Sequence, residues 1–388
     1  MKQHSKQKRI MVLGSTGSIG GSTLDVIRRN SGMFSVAALS CHHNTQSLLA
    51  QIREFKPEAV CVTDPAAALP PGLDGCRLYK GSEGLLSMIR ETGADMVVHG
   101  ISGTQGLLPS FASIQSGKGL ALANKETVVM AGGLLFKLAL KHQTVIIPVD
   151  SEHSALFHLL RKEAADNIKE IVLTASGGAL RDLPPNRFAD VTIEDVLKHP
   201  NWKMGAKITV DSATMANKAL EVIEAHHFFN IEISKIKVVI HPQSFVHSLI
   251  KTIEGSFYAQ ISKPDMRLPI QNALTYPELC AADYGSLDLD DCRMTFKAVD
   301  QRRYPMLALG YRAAGAGGAY PIAYNAANEA AVRAFLASKI RFTDIAYITE
   351  KILALDWGNL VNSVDEILHV NEVALNKATA LIERRTRE

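Results

Sequence analysis

Asp150, Ser151 and Glu152 stand together directly after an apolar run, Val145 to Val149. Such a run reads as a strand, and the carboxyl end of a strand is where α/β sheets place their chemistry. In a still extended segment, residues i and i+2 point the same way, so the two carboxylates could grip one divalent ion. An oxygen-only donor set suits Mg2+ or Mn2+ better than Zn2+. The same Asp-Ser-Glu also fits a helix N-cap, and spacing alone leaves both readings open. Asn217, Lys218 and Glu221 fall at spacings of three and four on an expected helix, Ala213 to Phe229. That face offers an amide, a cation and a carboxylate together, or else a solvated i, i+3 ion pair. Around it lie His199-Pro200-Asn201-Trp202-Lys203-Met204-Gly205 and Asp211-Ser212-Ala213-Thr214, unusually dense in polar, small and anchoring residues. Upstream, Ser176-Gly177-Gly178 follows another expected strand, Glu170 to Thr174, and is a candidate anion-binding turn.

A further group stands near the start of the chain: Gly14-Ser15-Thr16-Gly17-Ser18-Ile19-Gly20, between the apolar run Ile10 to Leu13 and a helix through Val26 and Ile27. Glycines there let the backbone approach a pyrophosphate, whose charge then sits at the free N–H groups of the helix start. The spacing is G-x-x-G-x-x-G rather than G-x-G-x-x-G, and a structural tight turn is the competing reading. A unit that binds NAD usually carries Asp or Glu about 20 residues on, for the ribose 2′-hydroxyl. Here the second strand ends in Ser40-Cys41-His42-His43-Asn44. With no acid to repel a 2′-phosphate and two imidazoles able to donate to it, the sequence favours NADP over NAD. A merely solvated loop at His42 and His43 has the same composition.

The elements that must hold these groups alternate through the first 150 residues. Strands are expected at Ile10 to Leu13, Phe34 to Leu39, Ala59 to Val62, Met96 to Val98, Leu120 to Leu122 and Val145 to Val149. Helical patterns lie between them, such as Ser47 to Phe55, Gly84 to Arg90 and Glu126 to Leu140. Alternation of this kind predicts a doubly wound, Rossmann-like α/β domain over residues 1–149. An α+β catalytic domain is expected over 150–263, with a helix at Ser154 to Arg161 and strands at Lys237 to Ile240, Phe245 to Ile250 and Phe257 to Ile261. Residues 264–303 read as a linker. Residues 304–388 read as a C-terminal helical bundle, through Met306 to Ala313, Asn325 to Leu336, Thr343 to Leu353 and Val364 to Ile382, with a turn at Ala313 to Ala319.

Composition bounds the partners. The chain of 388 residues is long enough for two or three domains at about 150 residues each. Its formal net charge of +3 supplies no general basic field for nucleic acid or an anionic membrane. The 47% hydrophobic to 21% charged balance is that of a globular chain with a sizeable core. Five cysteines form no C-x-x-C pair and no zinc spacing, so buried apolar thiols are expected rather than disulfides. The charged start, Met1 to Arg9, is followed by only four apolar residues and does not read as a signal peptide; no run is long enough to be expected to span a bilayer. A cytoplasmic protein is expected.

Taken in order, the blocks Gly14-Ser-Thr-Gly-Ser-Ile-Gly20, Ala123-Asn-Lys-Glu126, Val149-Asp-Ser-Glu-His-Ser154, Leu173-Thr-Ala-Ser-Gly-Gly178, His199-Pro-Asn-Trp202, Lys207-Ile-Thr-Val-Asp-Ser-Ala-Thr-Met215, Asn217-Lys218, His241-Pro-Gln-Ser244 and Asp265-Met-Arg267 resemble the 1-deoxy-D-xylulose 5-phosphate reductoisomerase family over nearly the whole chain. The resemblance implies reduction by NADPH, with Mg2+ or Mn2+, of 1-deoxy-D-xylulose 5-phosphate to 2-C-methyl-D-erythritol 4-phosphate for isoprenoid synthesis. It implies Asp150, Glu152 and Glu221 as metal ligands and Lys125 and Ser151 on the substrate oxygens near the metal. Ser176, His199, Ser212, Asn217 and Lys218 would hold the phosphate of this sugar phosphate, and Trp202 and Met204 would belong to a flap over it. Thr16, Gly17, Ser18 and Ile19 would touch the pyrophosphate, with His42, His43, Asn44, Asn124, Glu126, Gly205 and Met266 also on the cofactor side, Met266 at the nicotinamide end. In the family the C3–C4 bond is thought to break and rejoin before the aldehyde is reduced, and the enzyme is a homodimer. The chain departs from the family's usual residues at His42 and His43, at Gly103-Thr104-Gln105-Gly106, at Ala219 in place of glycine and at His227 in place of tryptophan. The competing functions are another NADP-dependent dehydrogenase on the same fold, which would need a nucleophilic cysteine with a histidine base in the second domain, whereas Cys280 and Cys292 lie past the motif region, and a dinucleotide-binding protein without catalysis.

Overall fold

The structure, a computed structural model, describes residues 7–68, 75–202, 204–358 and 361–387, so Lys203 of the motif above lies outside it. Two compact units are each assembled from three stretches of chain. Met1–Thr127, Leu135–Ser154 and Asp265–Tyr284 form the first; Val128–Leu134, Ala155–Pro264 and Gly285–Glu388 form the second. Among the described residues, no helix is long and apolar enough to cross a membrane.

The first unit is built on a seven-stranded parallel sheet. Its strands are β1 (Lys8–Leu13), β2 (Phe34–Cys41), β3 (Ala59–Val62), β4 (Arg77–Lys80), β5 (Met96–His99), β6 (Gly119–Leu122) and β7 (Ile146–Pro148), in the order β4-β3-β2-β1-β5-β6-β7. The central strands are buried along almost their whole length, as parallel strands covered on both faces must be. Chain direction across the sheet reverses between β1 and β5, the crevice where such sheets bind ligands. β4 was not expected: its pattern is half-exposed, as an edge strand's can be, and it contains no apolar run. The stretch read as a linker contains the helix Arg267–Thr275, with Pro269 in its first turn, where proline is tolerated. This helix packs on the helix Ser18–Arg29. Arg267 donates to Asp25 at 2.9 Å, Asn30 to Gln271 at 3.3 Å, and Lys8 Nζ to the Leu274 carbonyl at 2.8 Å.

The second unit carries a five-stranded sheet of β8 (Ile168–Ala175), β9 (Ile236–Ile240), β10 (Val246–Thr252), β11 (Phe257–Ile261) and β12 (Lys297–Ala298), in the order β11-β10-β8-β9-β12. Only β8 and β9 are parallel. Leu156, Val222 and Ala225 from two helices pack on Ile171, Leu173, Ile236 and Ile250 of the sheet. A larger core is formed with the helices Pro305–Ala316, Tyr320–Leu336, Asp344–Leu353 and Val364–Arg387. Small residues let these helices close up. A Cβ on Gly310 would lie 2.3 Å from Cβ of Ala219, so Gly310 leaves the room that Ala219 occupies. His227 fills space against Gly132 in the same way.

Three local expectations are corrected. The single helix expected over Ala213 to Phe229 is two, Ala206–Thr214 and Ala216–Phe229, broken at Met215 by a left-handed φ of 64°. The segment after β7 is not extended: Ser151 already begins the helix Ser151–Leu160, and Ser154 N donates to the Asp150 carbonyl at 2.8 Å. The expected turn at Ala313 to Ala319 is helical through Ala316, and the turn itself is Gly317 and Gly318, both at positive φ.

Candidate active site

In the first unit, the chain leaves β1 at Gly14, whose φ of 75° a side chain would strain. Two backbone links tie the turn to β2, Gly14 N to Ser40 Oγ at 3.0 Å and Ser15 N to the Ser40 carbonyl at 2.7 Å. Ser15 is buried against Gln51, each donating to the other at 2.7 and 3.0 Å. Thr16, Gly17, Ser18 and Ile19 are left at the surface or half-exposed. Gly20 is the tight position, since a Cβ there would lie 2.4 Å from the Gly14 carbonyl oxygen. The helix that follows has no side-chain cap and no acid in its first turn, so no side chain caps its first N–H groups beside Gly17. That arrangement suits an anion.

The remaining cofactor-side residues have differing settings. His42 and His43 are exposed at the end of β2, edge to face at 5.6 Å, and His42 Nδ1 lies 3.0 Å from Thr63 Oγ1. Asn44 caps the helix Thr45–Phe55 by accepting from Ser47 N at 3.1 Å. Asn124 is buried and its side chain is engaged within the protein. It accepts from Thr127 N, capping the helix Lys125–Lys141, and donates to the carbonyls of Ile101 and Gly103 at 2.7 and 2.9 Å. Asn124 therefore acts as a tie for the 101–103 loop. Glu126 is buried in the first turn of that helix, and Met266 is half-buried at the start of the Arg267–Thr275 helix. Gly205 belongs to the second unit, where it precedes the Ala206–Thr214 helix.

The ends of β6 and β7 bring Lys125 and Asp150 together at 2.5 Å, with side chains only 6% and 14% exposed. A lysine in the first helical turn opposes the helix dipole, so the pair depends on Asp150. Ser151 Oγ donates to Glu152. The Asp150 and Glu152 oxygens lie within 4.8 Å of each other, even though they now sit at a helix start. Asp150 immediately precedes the helix Ser151–Leu160 and lies beside the Glu152 carboxylate.

In the second unit, Ser176-Gly177-Gly178 follows β8, with Gly177 at φ 83° and Gly178 at φ 69°. Gly178 rests against the next segment, where a Cβ would lie 2.7 Å from the Ser212 carbonyl oxygen. Asn217 donates to Glu221 Oε1 at 2.6 Å, and Lys218 Nζ donates to Glu221 Oε2 at 2.5 Å. The Lys218 and Glu221 side chains are 4% and 1% exposed, so this is a desolvated pair and not the solvated face weighed above. His199 Nδ1 accepts from the backbone N–H groups of Asn201 and Trp202 at 3.2 and 3.0 Å. Its Nε2 must then carry the proton, and it lies 3.0 Å from Ser176 Oγ. Burial, reinforced by the nearby Arg181 guanidinium, pushes the His199 imidazole down to about 4. Trp202 lies half-buried, 6.5 Å between ring centroids from His247, and Met204 is half-buried.

Sequence reasoning missed several residues that shape this half. Tyr304 donates to the Gly177 carbonyl at 2.9 Å, and Arg303 to those of Leu180 and Leu183. Arg181 donates to the Ser176 carbonyl at 2.9 Å. Asp211 is buried between Lys207, at 2.8 Å, and Asn328 Nδ2, at 2.8 Å. Only the Lys207–Asp211 spacing of four carries a sequence signal.

The comparisons with known proteins agree over nearly the whole chain. The family profile for 1-deoxy-D-xylulose 5-phosphate reductoisomerase matches residues 10–132, that for its C-terminal domain 146–229, and that for the DXP reductoisomerase C-terminal domain 261–377. The reductoisomerases of Chlorobium chlorochromatii (strain CaD3) and Chlorobaculum tepidum are 46% and 47% identical over 380 residues, 97% of this chain and 100% of each of theirs. A crystal structure of DOX-P reductoisomerase with NADPH, fosmidomycin and magnesium superposes with a TM-score of 0.89 at 38% identity, covering 97% of this chain and 98% of that one. The Zymomonas mobilis enzyme in complex with NADPH gives 0.89 and 38%, over 97% of this chain and 100% of that one. From β1 through the C-terminal helices, then, the chain belongs to the 1-deoxy-D-xylulose 5-phosphate reductoisomerase family.

Proposed function

We propose that this chain isomerises 1-deoxy-D-xylulose 5-phosphate and reduces the product with NADPH to 2-C-methyl-D-erythritol 4-phosphate, using Mg2+ or Mn2+. The observation that carries the reading is the buried Lys125–Asp150 pair at 2.5 Å with Glu152 beside it. A cation and two hard carboxylates there match what metal-assisted chemistry on a hydroxyketone needs. The donor set fits a hard dication, and the uncapped helix start after Gly14 to Gly17 fits a pyrophosphate.

Asp150, Glu152 and Glu221 would be the ligands, and a bound ion would supply Lewis acidity at the substrate's ketone and hydroxyl oxygens. The ammonium of Lys125 stands where it stabilises negative charge developing on a substrate oxygen while the carbon–carbon bond is remade. Ser151 orients a substrate hydroxyl from the first turn of its helix. Ser176, His199, Ser212, Asn217 and Lys218 hold the phosphate and so fix the reacting carbons. Trp202 and Met204 exclude water above them. Thr16 to Ile19 hold the pyrophosphate, His42 and His43 the 2′-phosphate, and Met266 packs at the nicotinamide. Residues 1–149 would serve the cofactor, 150–263 the metal and sugar phosphate, 264–303 the connection, and 304–388 the helical support. A cytoplasmic homodimer is the expected working form.

NADPH oxidation measured with the folded protein should require both the sugar phosphate and Mg2+ or Mn2+, with NADH the poorer reductant. Asp150→Asn and Glu221→Gln should each lower turnover on the order of 100-fold or more while leaving NADPH binding intact. No turnover by folded protein would sink the reading; full activity in either variant would remove that residue from the ligand set.

A further inference from the structure

We propose that Asn201 is a positioning residue for phosphate recognition, acting through His199 to set the direction of the Ser176 hydroxyl. The inference rests on the reading of Ser176 and His199 as phosphate-binding groups and extends it to a residue that has no such role of its own.

The chain of contacts runs in one direction. His199 Nδ1 is an acceptor, filled by Asn201 N and Trp202 N. The proton is therefore on Nε2 and is donated to Ser176 Oγ at 3.0 Å. Ser176 Oγ also accepts from Gly178 N at 3.1 Å. With two bonds accepted, its own proton is left to point away from the turn, toward an anion. If the imidazole turned or changed tautomer, Ser176 would have to donate to it instead.

What holds the 199–202 backbone in that geometry is the Asn201 amide. Its Nδ2 donates to the Pro242 carbonyl and to Ser244 Oγ, both at 2.7 Å. Proline's carbonyl can only accept, which fixes the amide orientation. The receiving turn is rigid in its own right: Ser244 sits at a left-handed φ of 56°. His241, buried at its base, accepts at Nε2 from Phe245 N and Val246 N, both at 3.1 Å. Its Nδ1–H is donated to the Thr295 carbonyl at 2.9 Å, and its ring stacks on Phe296 at 4.8 Å. Two histidines in opposite tautomers thus each organise a turn, and one asparagine side chain joins the turns.

The test is a double-mutant cycle in the full-length protein. KM and kcat for the sugar phosphate, KM for NADPH and the inhibition constant of inorganic phosphate are measured in Asn201→Ala, Ser176→Ala and the double variant. Asn201→Ala should raise the sugar-phosphate KM and the phosphate inhibition constant by roughly 10- to 100-fold, leaving the NADPH KM unchanged. The double variant should be no worse than the worse single one, because both act at one hydroxyl. Losses that multiply, or an Asn201→Ala protein with unchanged constants, would overturn the inference. Should Asn201→Ala not fold, Ser244→Ala removes one of the two acceptors and should give a smaller change of the same kind; unchanged constants there would count against it. If Ser176→Ala alone changes neither phosphate constant, the phosphate reading of the turn fails first, and the role of Asn201 falls with it.

Discussion

The turn after β1 and the turn after β8 both present hydroxyls and backbone N–H groups at the end of a strand, but they are made differently. Gly14 to Gly20 runs straight into a helix, so the turn and the N–H groups behind it come from consecutive residues. Ser40 and Gln51 hydrogen-bond to it from outside. The Ser176–Gly178 turn runs into no helix at once. Its hydroxyl is aligned by His199, its Gly178 rests on Ser212, and its Gly177 carbonyl is held by Tyr304, 127 residues further on. A turn built from one segment tolerates change elsewhere in its unit, whereas an assembled turn responds to each segment that contributes to it.

The sharpest way to break that contrast is a methyl group in each turn. Gly178→Ala meets backbone, with Cβ 2.6 Å from Ala213 Cα, and also forces alanine to a φ of 69°. Together these should cost about 3 kcal/mol or more. Phosphate and sugar-phosphate binding should be lost while NADPH titration stays near normal. Gly20→Ala, with Cβ 2.4 Å from Ser15 Cα, should do the converse. Both variants losing both ligands would end the comparison. Next in size are the braces: Tyr304→Phe and Gln51→Ala should each cost about 1 kcal/mol, read as a lower denaturant midpoint. Tyr304→Phe should raise only the sugar-phosphate KM and Gln51→Ala only that for NADPH.

A further effect concerns acid. Burial pushes His99 in the first unit, and His199 and His227 in the second, down to about 4. In the unfolded chain these imidazoles protonate near 6.5. The unfolded state therefore binds more protons between about 6.5 and about 4, and the stability these groups contribute above that window is lost as pH falls through it. Hydrogen exchange between neutral pH and about pH 5 should show protection falling more in the second unit than in the first. Equal loss would mean that the third histidine brings no added sensitivity.

The same contrast explains what could be read from the sequence. The parallel strands were legible because burial on both faces writes continuous apolar runs such as Met96 to Val98. β4 was not, since Arg77–Lys80 lies half-exposed. The break at Met215 could not be foreseen, because methionine gives no signal for a left-handed turn and the tertiary packing around it decides. The spacing of Asp150 and Glu152 pairs them whether the segment is extended or helical, because both a strand end and a helix start bring them near each other. The desolvation of Lys218 with Glu221 was hidden, as an i, i+3 spacing looks the same on a wet face and a dry one. Asn201, Arg303 and Tyr304 escaped because their partners lie far away in sequence.

The stretch Asp265–Tyr284 has a consequence for the making of the protein. Synthesis proceeds from the N-terminus, and units tend to fold as they emerge. All seven strands of the first sheet are made once Pro148 has been added, yet Arg267, the partner of Asp25, and Gln271, the partner of Asn30, come much later. At about 5–20 residues per second, the delay is on the order of ten seconds. Throughout it, one side of the Ser18–Arg29 helix lacks its cover, so the nascent first unit waits on the ribosome for a piece encoded beyond about half of the second.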